Sequence, residues 1–419
     1  MDVAIIADDL TGAADSGVQL AGSGYRTAVA FWGVIVPPAE GLDAVAVDTD
    51  SRPLPAGFAA KRVVEAGHAV RDTRVIYKKI DSTLRGQILA ELAAALEATR
   101  RKKAIIAPAF PNAGRTTKSG VLLVNGEPVH QTDLAHDPRT PVLESHIPSL
   151  LSQAFHSVAS LSVSGIRQGG PVLDALENAD CVVGDAESDE DLEALVRAVP
   201  DPSSVLWVGS AGLARAFGKI YPGPHVNAPS ETPAPASGVL TVIGSVNEVT
   251  RKQLRRLVEE SGVVPVALDT ATLVAGSREE TTKEVAEAVR AALSGKGGAV
   301  LYSTVGEEVE SALCESSVSG DEISGRVADA LAQVVAELSG EDLFDALVLT
   351  GGDTAVRVAR ELGATGILLE GEMEAGVPIG TLLGPRPYRV ITKAGGFGDP
   401  KTLSDAFSTL AYPQKDRQR

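Results

Sequence analysis

Val3-Ala4-Ile5-Ile6-Ala7-Asp8-Asp9-Leu10-Thr11 opens with an apolar, β-prone run that stops at two carboxylates and a hydroxyl. Such a run reads as a strand buried on both faces, the kind found in parallel sheets. The pattern returns three times within the first 115 residues. Ala44–Val47 is followed by Asp48, Asp50, Ser51 and Arg52, and Val75–Tyr77 by Lys78, Lys79, Asp81, Ser82 and Arg85. Ala104–Ala107 is followed by Phe110, Asn112 and Arg115. Open α/β sheets bind ligands outside the carboxyl ends of their strands. If the strands are parallel, all four clusters converge on one crevice. Carboxylates, hydroxyls and cations together suit a small polyhydroxylated anion.

The 419 residues exceed what one hydrophobic core usually supports, so two domains are expected. Hydrophobic content of 44% is ordinary for a globular chain, and 4% aromatic content leaves little material for base stacking. A formal net charge of −17 argues against nucleic acid or anionic membrane as partner. Cys181 and Cys314 lie far apart in sequence and read as buried, reduced thiols. The chain lacks a basic start with a long apolar run, and no apolar segment reaches about 18 residues. A cytoplasmic enzyme is expected.

Between Pro222 and Ser237 stand Pro222, Pro224, Pro229, Pro233 and Pro235. That density suits neither a helix nor a central strand and reads as a semi-rigid linker over 222–237. It separates domains at 1–221 and 238–419. Strand-like and helical patterns alternate in both, which implies two α/β domains, each a mainly parallel sheet flanked by helices. In the first, Gln87–Thr99 reads as a helix, and residues 112–145 show no clear periodicity. In the second, strands are expected at Val239–Ile243, Val263–Leu268, Val300–Tyr302, Ala346–Leu349 and Tyr388–Ile391.

Thr350-Gly351-Gly352-Asp353-Thr354 lies between a strand and a helix. Its glycines allow close backbone approach, and the helix start offers N–H groups to an anion. The alternative is a tight turn with Asp353 as helix cap. Gly395 and Gly396 follow the last strand, and Ser245 follows Val239–Ile243. Three such loops on one sheet point to a nucleotide phosphate site. There is no P-loop, no dinucleotide fingerprint and no protein-kinase motif set. The histidines form no metal-binding motif, and His130 and His136 are placed near the crevice.

Ala7–Ala13, Lys78–Gly86, Pro108–Pro111, Gly209–Ala214, Thr350–Thr354 and Lys393–Asp399, in that order, resemble the signatures of the four-carbon acid sugar kinase family. The resemblance covers nearly the whole chain. It implies an amino-terminal sugar-acid-binding domain, a carboxy-terminal nucleotide-binding domain, and ATP-dependent phosphorylation of D-threonate, D-erythronate or 3-oxo-tetronate, with the terminal hydroxyl favoured. Under this reading Asp81, Asp9 and Lys79 are the catalytic set. Asp81 is slightly favoured over Asp9 as the base, because it sits between Lys79 and Arg85. Asp8, Thr11, Asp50, Ser51, Arg52, Lys78, Ser82, Arg85, Phe110 and Arg115 would bind the acid. Ser245, Gly351, Gly352, Asp353, Thr354, Gly395 and Gly396 would hold ATP. Mg²⁺ is implied by phosphoryl transfer, not by a ligand motif. The alternatives are a hydroxy-acid dehydrogenase or lyase, and a non-enzymatic sugar-acid sensor. Whether the chain forms a homo-oligomer is left open.

Overall fold

The structure is a computed structural model and describes residues 1–34, 41–137, 140–225, 234–245, 247–295, 298–304 and 320–412. The chain divides into two compact units, Met1–Ala228 and Pro229–Arg419. The middle of the expected linker, residues 226–233, lies outside the described residues. Its flanks are tied to their own units. Gly223 N–H donates to Ser23 O at 2.9 Å, and Ala236 N–H to Leu410 O at 3.0 Å.

The first unit contains β1 (Val3–Ala7), β2 (Thr27–Ala30), β3 (Ala44–Asp48), β4 (Val75–Lys79), β5 (Ala104–Ala107), and the short β6 (Arg115–Lys118), β7 (Val121–Val124) and β8 (Glu127–Pro128). Then come β9 (Val158–Leu161), β10 (Cys181–Gly184) and β11 (Leu206–Gly209). Its helices are α1 (Leu10–Gly22), α2 (Ala56–Val70), α3 (Ile88–Thr99), α4 (Ile147–Leu151), α5 (Val163–Gln168), α6 (Gly170–Asn178), α7 (Asp189–Arg197) and α8 (Ala211–Ile220). The large sheet runs in the order β2-β3-β1-β4-β11-β5-β10-β9, and every pair is parallel. Every residue of β1 is buried, as its unbroken apolar run requires. β1 lies between β3 and β4, with Ala7 level with Asp48 and Lys79. The chain crosses β1 to pass from β3 to β4, and such switch points open a crevice at the strand ends.

The described residues of 112–145 are more regular than the sequence suggests. β6, β7 and β8 form a small antiparallel sheet joined by two-residue turns. Ser119-Gly120 and Asn125-Gly126 all have positive φ, the geometry of a tight hairpin turn. Asp185 accepts the N–H groups of Ser119 and Gly120 at 2.7 and 2.8 Å, tying the first turn to the end of β10.

The second unit contains β12 (Val239–Ile243), α9 (Glu248–Ser261), β13 (Val264–Leu268), α10 (Thr270–Ala275), α11 (Arg278–Ser294), β14 (Ala299–Ser303) and α12 (Gly320–Leu338). It continues with β15 (Ala346–Thr350), α13 (Gly352–Glu361), β16 (Gly366–Glu374), β17 (Val377–Leu383), β18 (Arg389–Lys393) and α14 (Thr402–Ala411). The order is β13-β14-β12-β15-β18-β17-β16. The five strands from β13 to β18 are parallel, and β16–β17 is an antiparallel hairpin added beyond β18. Among the described residues no helix is long and apolar enough to cross a membrane.

Candidate functional site

In the first unit the ends of β1, β3 and β4 meet around Arg52. Its guanidinium donates to both oxygens of Asp8 (2.7 and 2.9 Å) and both oxygens of Asp9 (2.6 and 2.9 Å). It also lies 3.9 Å from Asp81. Planar guanidinium suits such fork-to-fork pairing. Asp9 caps α1 and accepts the N–H of Gly12 at 2.8 Å. A Cβ on Gly12 would come within 2.6 Å of Asp9 Oδ1 and 2.8 Å of Lys79 Nζ. The glycine therefore lets both side chains close on the helix start.

Asp81 is differently employed. Thr83 Oγ1 and Arg85 Nε both donate to its Oδ2, the latter at 2.8 Å. Arg85 also reaches Asp137 at 3.7 Å. Burial alone would raise the Asp81 carboxyl, but Arg52, Arg85 and Lys79 outweigh it and hold Asp81 well below the usual carboxylate range. Burial likewise opposes the Arg52 charge at Asp8, and there the cations win. At Asp9 burial prevails, helped by the charge of Asp8, and its carboxyl is raised although 28% of the side chain is exposed. Burial, then the charges of Asp50, Asp9 and Asp8, push Asp48 up to about 8, against the Asp50 N–H donated at 2.8 Å. Of Asp9 and Asp81, burial favours the protonated form at Asp9. Asp81 is held ionised by Arg52, Arg85 and Lys79 and is tied to Thr83 and Arg85.

Some expected residues are not brought to the cluster. Lys78 is fully buried and pairs with Glu91 of α3 at 2.8 Å. Ser51, also fully buried, donates to the same carboxylate at 2.7 Å. Neither offers a face to a ligand. Asp50 turns its side chain to Arg62 at 3.0 Å. Arg115 pairs backbone to backbone with Phe110, and its guanidinium donates to Ala113 O. Thr11, Ser82 and Phe110 are partly exposed at strand ends. His130 bonds Ser145, at 2.6 Å between Nδ1 and Oγ. Thr83, Glu91 and Asp137 were missed, and Asp48, named at its strand end, was given no role. The position of Thr83 two residues past Asp81 was a local signal, whereas Glu91 and Asp137 become neighbours only through tertiary packing.

In the second unit the adjacent strands β12, β15 and β18 end level, with Ile243, Thr350 and Lys393 in register. Their loops touch. A Cβ on Gly395 would fall on Ser245 Oγ, and one on Gly244 would fall on Thr354 Oγ1. Gly351 has φ +92° and caps α13. The cap is thus Gly351, while Asp353 is exposed in the first turn. Glycines at close-approach positions, a hydroxyl and the start of a ten-residue helix form a cradle that fits phosphate. The lysine of the third loop does not face this cradle. Lys393 is buried and donates to oxygens of its own loop. Among the described residues, no three His, Cys, Asp or Glu side chains are grouped to hold a metal.

The sequence matches two family models, a sugar-binding N-terminal domain over residues 3–217 and a nucleotide-binding C-terminal domain over 240–403. It is 37% identical to a D-threonate kinase of Salmonella typhimurium, with 97% of each chain covered. A D-erythronate kinase of Heliobacterium modesticaldum is 33% identical, covering 97% of this chain and 96% of that one. A crystal structure from Salmonella typhimurium LT2 superposes with a TM-score of 0.82 at 25% identity, covering 97% of this chain and 98% of that one. The chain is therefore an enzyme, a phosphotransferase of the sugar-acid kinase class. It belongs to the four-carbon acid sugar kinase family.

Proposed function

We propose that this enzyme transfers the γ-phosphoryl of ATP to the terminal hydroxyl, O4, of a four-carbon sugar acid, and that D-threonate is the first acid to test. Relatives named D-threonate kinases are 34–37% identical to this chain. The D-erythronate relative is 33% identical and the 3-oxo-tetronate relatives are 27–29% identical. Residues 1–221 form the acid-binding domain and 238–419 the nucleotide-binding domain in this reading. The observation that carries it is the cluster of Asp8, Asp9, Arg52, Asp81 and Arg85 at the ends of β1, β3 and β4.

Phosphoryl transfer calls for positioning and charge neutralisation more than covalent chemistry. Arg52 and Arg85 receive the acid's carboxylate, and Asp8, Thr11 and Ser82 receive its hydroxyls. Asp9, the carboxyl raised by burial, takes the proton of the attacking hydroxyl. Lys79, beside the start of α1, meets the migrating phosphoryl. Lys78 and Ser51 hold the strand ends from below, through Glu91. Ser245, Gly351–Thr354, Gly395 and Gly396 cradle the phosphates of ATP. Mg²⁺ bound with ATP would neutralise phosphate charge, and no residue of this chain is assigned to hold it.

The test is ADP release with Mg²⁺ over a panel of D-threonate, D-erythronate, 3-oxo-tetronate and hexoses. Acid-dependent turnover with at least one tetronate is expected. Turnover on hexoses with none on any four-carbon acid would overturn the substrate assignment.

A further inference from the structure

Lys393 closes β18 and is 3% exposed. Its ammonium donates to Ala394 O at 2.9 Å, Phe397 O at 3.0 Å, Thr250 Oγ1 at 3.2 Å and Gly395 O at 3.3 Å. An ammonium has three protons, so four oxygens more than fill it. Three of those oxygens are carbonyls of one short loop. Two buried side chains of α9 complete the arrangement. Thr250 Oγ1 donates to Gly395 O at 2.6 Å. Gln253 Nε2 donates to Phe397 O at 3.2 Å and Asp399 O at 2.6 Å. Thr250 and Gln253 are three residues apart, so they share a helix face.

Four carbonyls of residues 394–399 are thus drawn inward to one cation and one amide. In a trans peptide the C=O and the following N–H point in opposite directions. The N–H groups of Gly395, Gly396 and Gly398 therefore point away from the ammonium. Among the described residues no carboxylate lies within ion-pair distance of Lys393; Glu374 acts on it from farther off, and the groups that touch the ammonium are neutral oxygens. Outward N–H groups over a buried positive charge are what a phosphate requires.

We propose that Lys393, with Thr250 and Gln253, is a positioning residue for ATP, holding the Ala394–Asp399 loop with its amides turned toward the phosphates. The lysine touches no ligand and acts through the backbone it ties down. This rests on the assignment of the second unit to ATP.

The experiment compares wild type, Lys393→Met, Lys393→Arg and Thr250→Val as full chains. ATP affinity is measured by calorimetry without acid, and both KM values by ADP release. Unmaking a buried set of hydrogen bonds gives an expected weakening of ATP binding of about tenfold or more for Lys393→Met and several-fold for Thr250→Val. The KM for the acid should stay within about twofold in both. Lys393→Arg should recover part of the ATP affinity, since it keeps the charge but not the compact geometry. Unchanged ATP affinity in folded Lys393→Met would overturn the proposal, as would equal losses for ATP and acid. Should Lys393→Met not fold, unchanged ATP affinity in Thr250→Val overturns it instead. A wild type that binds ATP but turns over no four-carbon acid refutes the substrate reading and leaves this test intact. A wild type that binds no ATP refutes both.

Discussion

The strand ends of the first unit are built from opposed charges, those of the second from backbone. Asp8, Asp9 and Asp81 surround Arg52 and Arg85 at one place. At the other, glycines and hydroxyls line the loops, and the lysine is turned inward. The difference follows from what each is proposed to recognise. A short acid with several hydroxyls needs donors and acceptors in a fixed pattern, and only side chains supply both. A chain of phosphates needs repeated N–H donors, which the backbone supplies wherever glycine lets it approach. The first unit should therefore respond to changes of charge, the second to changes of shape.

The sharpest way to break this comparison is to remove one charge without changing size. Asp9→Asn should lower kcat by about 10²–10⁴-fold, the usual cost of losing a general base, and leave the KM for ATP nearly unchanged. Asp81→Asn should instead raise the KM for the acid by releasing Arg85. Steady-state kinetics on both variants decides, and the reverse pattern would return the base to Asp81. In the second unit the corresponding change is one of bulk. Gly395→Val should weaken ATP on the order of tenfold to a hundredfold, because its Cβ falls on Ser245 and its branches fill the approach to the phosphates. Calorimetry with ATP checks this, and an intact affinity would remove Gly395 from the site.

A smaller effect sharpens the comparison through pH. Burial pulls Lys393 down to about 8, against the field of Glu374, whose carboxylate also accepts the Thr402 hydroxyl. The charged form dominates below that value, so the KM for ATP should rise several-fold as pH climbs through about 8, and less so in Lys393→Arg. Stability moves the other way. Between about 8 and the ordinary lysine value of 10.5 the unfolded chain holds a proton that the folded one has lost, so this group's contribution rises with pH. The smallest effect concerns Asp48. Its folded carboxyl keeps a proton up to about 8 while the unfolded one releases it near 3.8. Its contribution to stability is complete below 3.8 and is lost as pH rises to about 8. Asp48→Asn keeps the acceptor and removes that loss. It should raise the melting temperature by a few degrees at pH 8 and by little at pH 4. A uniform shift at both pH values would mean that Asp48 is ionised in the folded state.

The buried strands were legible because a run of four or five mostly apolar residues between turns is too short for a helix and suits a buried strand. Val3–Ala7, Ala104–Ala107 and Val239–Ile243 stand where the residues place them. The two hairpin regions were not. β6 to β8 are strands of two to four residues, too short for periodicity, although Asn125-Gly126 is a strong turn signal. In β16, Gly371 and the glutamates at 370, 372 and 374 interrupt the pattern at its register shifts. The position of the charged cluster was readable, but not which of its members face inward. Lys78 and Lys79 are neighbours on one strand, and successive side chains point to opposite faces. One meets Glu91 of α3 and the other the start of α1. Only the packed helices decide which lysine is structural.

Arg52 has a consequence for traffic past the first unit. Its guanidinium already makes four hydrogen bonds to two carboxylates. An arriving anion therefore enters an exchange, not an addition. A chloride or an acetate offers Arg52 nothing better than what it holds, and leaves any displaced aspartate without a partner. An acid carrying hydroxyls brings donors for those aspartates along with its own charge. If Arg52 receives the acid as proposed, the resting ion pairs would act as a filter, turning away simple anions and yielding to a molecule that repairs the contacts it breaks.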